Sequence, residues 1–438
     1  MDKNSLKEII IEQQRIFLQM DLGIKRDCLN QFSKYIKNPY IVVISGLRRC
    51  GKSTLLLQIM NNFFKEPIFY FNFEDERLMY FTSEDFNNLL ELSIELFGQT
   101  KTYFFDEIQN IIGWEMFVRR LQDSGNKIFI TGSNASLLSK ELGTRLTGRY
   151  IPVELYPFSF KEYLYFKGLS LKKDSLSVTS ERAKIKRRFN EYLKNGGLPE
   201  YIKYKQRNTL STLYNDIIYR DIAARYDIKE VKSLKDLTIY LLSNAGTLVS
   251  YNRLKNMLGL GSVNTPKKFL EYLENTYLIA TVPRYSHSIR QQIRNPKKVF
   301  GVDNGILNFA SFRFSENKGK FLENLVFIEL KRRKQEVYYY KTKKGKEVDF
   351  LLREGIRHKE LVQVTQSLGR KEVRDRELNA LAEAMDELKI KPGLILTEDE
   401  EEDLSIGNKK IKIMPVYKWL LRGPMLSQEL GQQKTLLR

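Results

Sequence analysis

Through the first 165 residues, short apolar runs rich in β-branched and aromatic side chains alternate with longer stretches of helical period. The runs are Ile41-Val42-Val43-Ile44, Ile68-Phe69-Tyr70-Phe71-Asn72-Phe73, Tyr103-Phe104-Phe105, Lys127-Ile128-Phe129-Ile130-Thr131 and Ile151-Pro152-Val153-Glu154-Leu155. Each reads as a strand, and the helical patterns between them predict a five-stranded parallel sheet covered by helices. Residues 1–36 read as an N-terminal helical segment and 37–165 as the α/β core.

Beyond that core the pattern changes twice. Residues 166–232 are helical and rich in Arg182, Lys184, Lys186, Arg187 and Arg188, a helical lid by this reading or an exposed charged face. From 233 to 302 three amphipathic helices are followed by two apolar strands, Tyr277-Leu278-Ile279-Ala280-Thr281-Val282 and Lys298-Val299-Phe300-Gly301-Val302. Three helices and a ribbon predict a winged helix. Residues 303–425 give a helix around Phe321-Leu322-Glu323-Asn324, a hairpin of 336–340 with 347–352, and a further strand at 360–365. The acidic run Glu398 to Asp403 is expected to be a mobile loop, and 426–438 a frayed tail.

At 438 residues the chain is long enough for two to four domains, and 42% hydrophobic content argues against disorder. Two cysteines, Cys28 and Cys50, cannot form a disulfide framework, and two histidines leave little room for histidine-based metal chemistry. With no apolar stretch of membrane-spanning length and no leader pattern, the expected location is cytoplasmic, with no membrane partner. The formal net charge of +20 points to a polyanion such as nucleic acid or to an anionic membrane surface, which composition alone does not separate.

The chemistry begins at Gly46-Leu47-Arg48-Arg49-Cys50-Gly51-Lys52-Ser53-Thr54, between the first strand and a helix. A Gly-rich turn there lets successive backbone N–H groups and a positive helix end surround a phosphate. Lys52 would reach the β- and γ-phosphates of ATP, and the Ser53 hydroxyl would ligate Mg²⁺. Arg48 and Arg49 are given no separate side-chain role. The strand Tyr103-Phe104-Phe105 ends in Asp106-Glu107. Asp106 is placed on the Mg²⁺ shell, and Glu107 on the attacking water. Asn134, with Ser133 close behind, is the polar group expected between that water and the γ-phosphate.

Phe105-Asp106-Glu107-Ile108-Gln109, Gly113-Trp114-Glu115, Thr131-Gly132-Ser133-Asn134, Asn72-Phe73-Glu74-Asp75, Gly196-Gly197-Leu198-Pro199-Glu200 and Tyr219-Arg220-Asp221-Ile222 together resemble a prokaryotic family of AAA+-type P-loop ATPases. In that family the ATPase module precedes a C-terminal domain of uncertain function. The resemblance spans nearly the whole chain. It implies ring-like or stacked homo-oligomers in which an arginine of one subunit reaches its neighbour's γ-phosphate. Arg145 and Arg149 are the candidates, and Arg149 is preferred.

The remaining expectations concern partners. Lys267 and Lys268 on the third helix of the winged-helix segment would face a DNA groove. Arg284, Arg290, Arg294, Lys297 and Lys298 around the ribbon would grip phosphates. The C-terminal segment resembles a restriction-endonuclease-like core, with Glu323 and Asp349 as its acids. Such a site needs a lysine two residues beyond the second acid of a strand. Here that pair is Gln363 and Thr365, so Glu323 and Asp349 are left without partners and the domain reads as a degenerate nuclease fold. The expected function is a Mg²⁺-dependent ATPase that oligomerises on double-stranded DNA. An ATP-gated switch with a protein partner and an ATP-dependent nuclease are the alternatives.

Overall fold

The computed structural model describes residues 1–135, 146, 148–172, 174–311, 318–355 and 357–422. The chain divides into two compact units, Met1–Pro157 with Glu274–Tyr277, and Phe158–Leu273 with Leu278–Arg438.

In the first unit, β1 (Ile41–Ser45), β2 (Phe69–Asn72), β3 (Thr102–Asp106), β4 (Lys127–Gly132) and β5 (Tyr150–Glu154) form one sheet in the order β2-β3-β4-β1-β5. All four pairings are parallel. The three central strands are buried on both faces, which explains their unbroken apolar runs. Pro152 is tolerated because β5 is an edge. Helices α1 (Lys3–Gln19), α2 (Lys52–Phe63), α3 (Phe86–Phe97) and α4 (Trp114–Asp123) cover the sheet. Leu6, Ile9 and Ile10 of α1 join Phe69, Phe71, Phe105 and Phe117 in one apolar cluster.

The opposite edge, β2, is closed by α1 rather than by a strand. Gln13 accepts from the Asn72 N–H at 2.8 Å and donates to the Asn72 carbonyl at 3.1 Å. Gln14 repeats this one turn of the ladder away, accepting from Tyr70 N and donating to Ile68 O. Two side-chain amides thus stand in for a neighbouring strand, and both glutamines are buried.

The second unit carries two sheets. Helices α5 (Val231–Ser243), α6 (Tyr251–Met257) and α7 (Asn264–Asn275) accompany β6 (Leu248–Val249), β7 (Ile279–Val282) and β8 (Lys297–Gly301). These strands are antiparallel in the order β6-β8-β7, one more than the two-stranded ribbon expected. The connection from β7 to β8 contains the short helix α8 (Ile289–Arg294). The larger sheet runs β13-β14-β12-β11-β10-β9, from β9 (Glu336–Lys341), β10 (Glu347–Glu354), β11 (Arg357–Val364), β12 (Pro392–Thr397), β13 (Glu402–Ile406) and β14 (Lys409–Pro415). Helix α9 (Lys318–Arg332) precedes it and α10 (Lys371–Leu388) links β11 to β12. The edge at β9 is covered by residues 283–285, with Tyr285 N donating to Tyr339 O at 2.8 Å.

The acidic run is not a free loop. Asp399 pairs with Lys186 at 2.6 Å, Glu398 with Lys318, Glu401 with Lys418 and Glu402 with Arg374. Glu400 accepts from Ser367 Oγ and Leu368 N, and Glu402 begins β13. Clustered like charges here find distributed cations, which composition along the chain does not disclose. The 426–438 tail lies outside the described residues.

Replacing Gln14 with Leu leaves the Tyr70 N–H and Ile68 carbonyl unpaired in the interior. We expect a loss of about 1–3 kcal/mol in urea unfolding, with increased self-association through the uncovered edge.

Candidate functional site

At the carboxyl ends of β1, β3 and β4 the first sheet opens onto the phosphate loop. Gly46 has no room for a side chain, since a Cβ there would lie 2.2 Å from the Leu155 carbonyl. Gly51 has φ of +98°, a left-handed conformation suited to glycine, and it caps the start of α2. The loop is held from behind by Arg26, which is 5% exposed. Its guanidinium donates to the Cys50 carbonyl at 2.9 Å and to the Tyr156 carbonyl at 2.6 Å. Nothing in the sequence pattern marked Arg26, because it lies 20 residues before the loop's first glycine.

Lys52 points inward from the first turn of α2. Its Nζ lies 3.0 Å from Glu107 Oε1 and donates to the Gly46 carbonyl at 3.3 Å. Glu107 sits at φ of +50°, left-handed for a residue with a Cβ, at the tip of β3. Its other oxygen accepts from Ser133 N at 3.0 Å and from Gln109 Nε2. Asn134 is buried directly after Ser133. Asp106 accepts from the Tyr70 hydroxyl at 3.0 Å and from the Thr131 hydroxyl, and its carboxyl is also bonded to Ser53.

These arrangements set opposite proton affinities on adjacent carboxyls. Burial works against charge on Glu107, but the Lys52 ammonium outweighs it and holds the group down to about 2. Burial and the neighbouring Glu107 charge push Asp106 upward instead. Lys52 is itself raised, since burial is overcome by Glu107. The result is a resting ion pair, Lys52 with Glu107, beside a hydroxyl-bound Asp106.

The structure therefore brings together Gly46 through Thr54, Asp106, Glu107 and the Ser133-Asn134 turn. Arg48 turns from the loop to pair with Glu74. Arg149 is elsewhere. Its carbonyl accepts from Ile41 N at the beginning of β1, whereas the loop leaves the far end of that strand, and its guanidinium pairs with Asp123 at 3.0 Å. Arg145 lies outside the described residues.

In the second unit Lys267, Lys268, Arg290 and Arg294 are exposed, and Arg284 and Lys297 are half-buried. Lys298 is not available to DNA: it is 2% exposed and ion-paired with Glu323, Glu347 and Asp349. A strand side chain alternates faces, so Lys297 and Lys298 cannot both look outward. For the same reason Glu323 and Asp349 do have partners, contrary to the expectation from the strand β11 spacing. The Tyr219-Arg220-Asp221-Ile222 motif falls on a π-helical stretch, Asp216–Ala224, a rare local structure.

Comparisons with known proteins place these features. Residues 38–164 match the family model described as an AAA domain, and residues 186–317 and 318–419 match two models, each described as a domain of unknown function. An uncharacterised protein of Methanocaldococcus jannaschii is 37% identical over 434 residues, 95% of this chain and 96% of that one. An uncharacterised protein of Haemophilus influenzae is 36% identical over 344 residues, 75% of this chain and 83% of its own length. Domain III of the Thermotoga maritima replication initiation protein DnaA aligns with 40% of this chain and 88% of that chain at 18% identity and a TM-score of 0.27, too loose a superposition to argue from. The AAA domain implies nucleotide binding.

Because Arg26 fixes two carbonyls that shape the loop, Arg26→Ala should weaken nucleotide binding about tenfold, the equivalent of one hydrogen bond. Titration with a fluorescent ATP analogue reads this, and Arg26→Lys should recover part of the loss.

Proposed function

The chain belongs to a family of AAA-domain P-loop proteins with members in archaea and bacteria, and from that membership we propose that it is a Mg²⁺-dependent ATPase whose nucleotide state controls oligomer assembly and grip on double-stranded DNA. One observation carries the hydrolytic part: Lys52, Ser53, Asp106 and Glu107 converge at the mouth of a glycine-turned loop.

The residues fit Mg²⁺, since the Ser53 hydroxyl and the Asp106 carboxylate are hard oxygen donors in direct contact. Ser53 would hold the ion and Asp106 its water shell, and the ion would supply charge neutralisation on the phosphates. The chain's own groups do the rest. Backbone N–H groups of the loop and the Lys52 ammonium bind phosphate oxygens. Once Lys52 engages a phosphate, Glu107 loses its main counter-charge and its proton affinity rises. It then accepts a hydrogen bond from the attacking water and later its proton, with the Ser133-Asn134 turn keeping the carboxylate aimed.

Arg149 serves a neighbouring subunit in this reading. A five-residue strand separates it from its own loop, about 15 Å at the usual strand rise and beyond an arginine's reach. Its exposed guanidinium at the sheet's opposite end would meet the loop of a second copy in that reading.

DNA binding is supported by the order of helices and strands from α5 to β8, which is that of a winged helix. Lys267 and Lys268 stand on its third helix. No Asp or Glu occurs from Asn275 to Val302, a stretch containing Arg284, Arg290, Arg294 and Lys297. One observation favours a protein partner as the second reading: Ile289 and Ile293 on α8 are 73% and 69% exposed.

Glu107→Gln should still bind ATP while turnover falls by about 10²–10⁴; unchanged turnover would assign the base elsewhere. Filter binding of duplex DNA at graded salt tests the other half. Affinity should fall steeply with ionic strength, and Arg290→Ala with Arg294→Ala should flatten the slope by about two charges. Salt-insensitive or absent binding, with Ile289→Ala and Ile293→Ala abolishing capture of a protein, would favour the second reading.

A further inference from the structure

Four ionisable side chains from three elements meet inside the second unit: Lys298 of β8, Glu323 of α9, and Glu347 and Asp349 of β10. The Lys298 Nζ lies 2.9 Å from Glu323 Oε1, 2.8 Å from Glu347 Oε1 and 2.9 Å from Asp349 Oδ1. An ammonium has three donors, and each here is spent on a different carboxylate. The surroundings fix the acids further. Asp349 Oδ2 accepts from Val364 N at 2.9 Å, and Asp349 N donates to Gln363 Oε1 at 3.1 Å. Gln363 in turn donates to Glu377. Glu323 lies against Gly246, where a Cβ would come within 2.8 Å of its carboxylate.

We infer that the Lys298 ammonium is the resident cation of this carboxylate cluster, standing where a nuclease-like fold would hold a divalent metal, so that the domain is closed to metal and works as an ionic clasp.

The ammonium itself fills the centre of the cluster, its nitrogen within hydrogen-bond distance of all three carboxyl groups at 2.8–2.9 Å, so a divalent ion would have to displace it. Among the described residues no group of three or more His, Cys, Asp or Glu side chains is arranged to hold a metal ion. Charge points the same way. Three acids exceed one ammonium, and the surplus is met locally, by Lys341 at 3.7 Å from Glu347 and by a proton that burial favours on Glu323. The position two residues beyond Gln363 supplies no second lysine, since residue 365 is threonine, and Lys359 of β11 pairs with Glu354 instead.

What the cluster fastens is clear from the adjacent contacts. The Asn324 side chain accepts from Gly301 N at 2.8 Å and donates to Gly301 O at 3.0 Å, so α9 reads the backbone of β8 like a strand. Phe300 of β8 stacks on Phe327 of α9 with ring centroids 4.4 Å apart. Lys298 completes this seam by tying β8 to β10 as well as to α9. The helix-and-ribbon segment is thereby locked to the six-stranded sheet through a charge that no solvent ion needs to supply.

The test uses the full-length protein without nucleotide, titrated with Mn²⁺ and followed by electron paramagnetic resonance of the free ion and by thermal unfolding. Wild type and Glu347→Gln, the most exposed of the three acids, should bind the same number of Mn²⁺ ions. Lys298→Met should unfold at lower temperature without metal, gain one Mn²⁺ site, and recover by about 5 °C in millimolar Mn²⁺. Adding Glu347→Gln to Lys298→Met should weaken that gained site. If Lys298→Met folds only with Mn²⁺ present, the recovery itself is the expected result. A Mn²⁺ site in wild type that Glu347→Gln removes would overturn the inference, whatever Lys298→Met does. So would Mn²⁺-dependent plasmid nicking by wild type that Glu323→Gln abolishes, or a folded Lys298→Met that gains no site.

Discussion

Lys52 is 5% exposed, and an ammonium cannot be taken that far from water without a compensating charge close by. In the resting site Glu107 supplies it at 3.0 Å. Much of the local structure follows from that requirement. Glu107 adopts a left-handed backbone at the end of β3, and its second oxygen is held by Ser133 N so that the first can face the lysine. The loop carbonyls of Gly46 and Leu47 take what remains of the ammonium's bonding capacity. Only one of these contacts is with a charge. A phosphate therefore needs to displace a single carboxylate, and under the proposed function that displaced carboxylate is the one that polarises water, so that one ion pair would couple occupancy to competence.

The second unit meets the same physical demand with a different outcome. Lys298 is more deeply buried than Lys52, and all three of its donors are matched by carboxylates. An incoming anion would have to displace three carboxyl groups rather than one from the same ammonium. A phosphate can exchange at Lys52, whereas Lys298 is a fixed fastening. Burial makes breaking such a cluster costly even where forming it adds little net stability, which is the behaviour expected of a clasp.

How legible this was depended on whether the deciding contact is local in sequence. The phosphate loop, Asp106-Glu107 and the five strands could be read because each signal is contained in a few residues and its chemistry dictates the spacing. The strand order places the loop, the carboxylates and the Ser133-Asn134 turn at one end of the sheet, as strand-end positions imply. Lys298 was misplaced because its role depends on Glu323, Glu347 and Asp349, which are distant in the chain. A basic doublet in a ribbon looks like a phosphate grip until one member turns inward. Gln13 and Gln14 were invisible for a similar reason: a polar pair in an amphipathic helix gives no hint that a strand edge 54–59 residues away needs donors and acceptors. Arg26 belongs to the same class. The acidic run failed in the opposite direction, since like charges that would repel in isolation are held by Lys186, Lys318, Lys418 and Arg374.

That last pairing bears on where the chain's excess positive charge acts. The net charge of +20 does not by itself locate a surface. Basic groups beside the acidic run are neutralised within about one salt bridge's distance, and at physiological salt their field is further screened within roughly 8 Å. The segment from Asn275 to Val302 has no acid of its own to do the same. Burying Lys298 removes one cation from that segment but leaves Arg284, Arg290 and Arg294 in the connection between two strands and Lys297 at the start of the second. Under the proposed function a polyanion would therefore approach the second unit at the ribbon, whose own residues carry only positive charge, and not at the acidic run, whose charges are paired. Steering of this kind depends on the contrast between the two places more than on total charge.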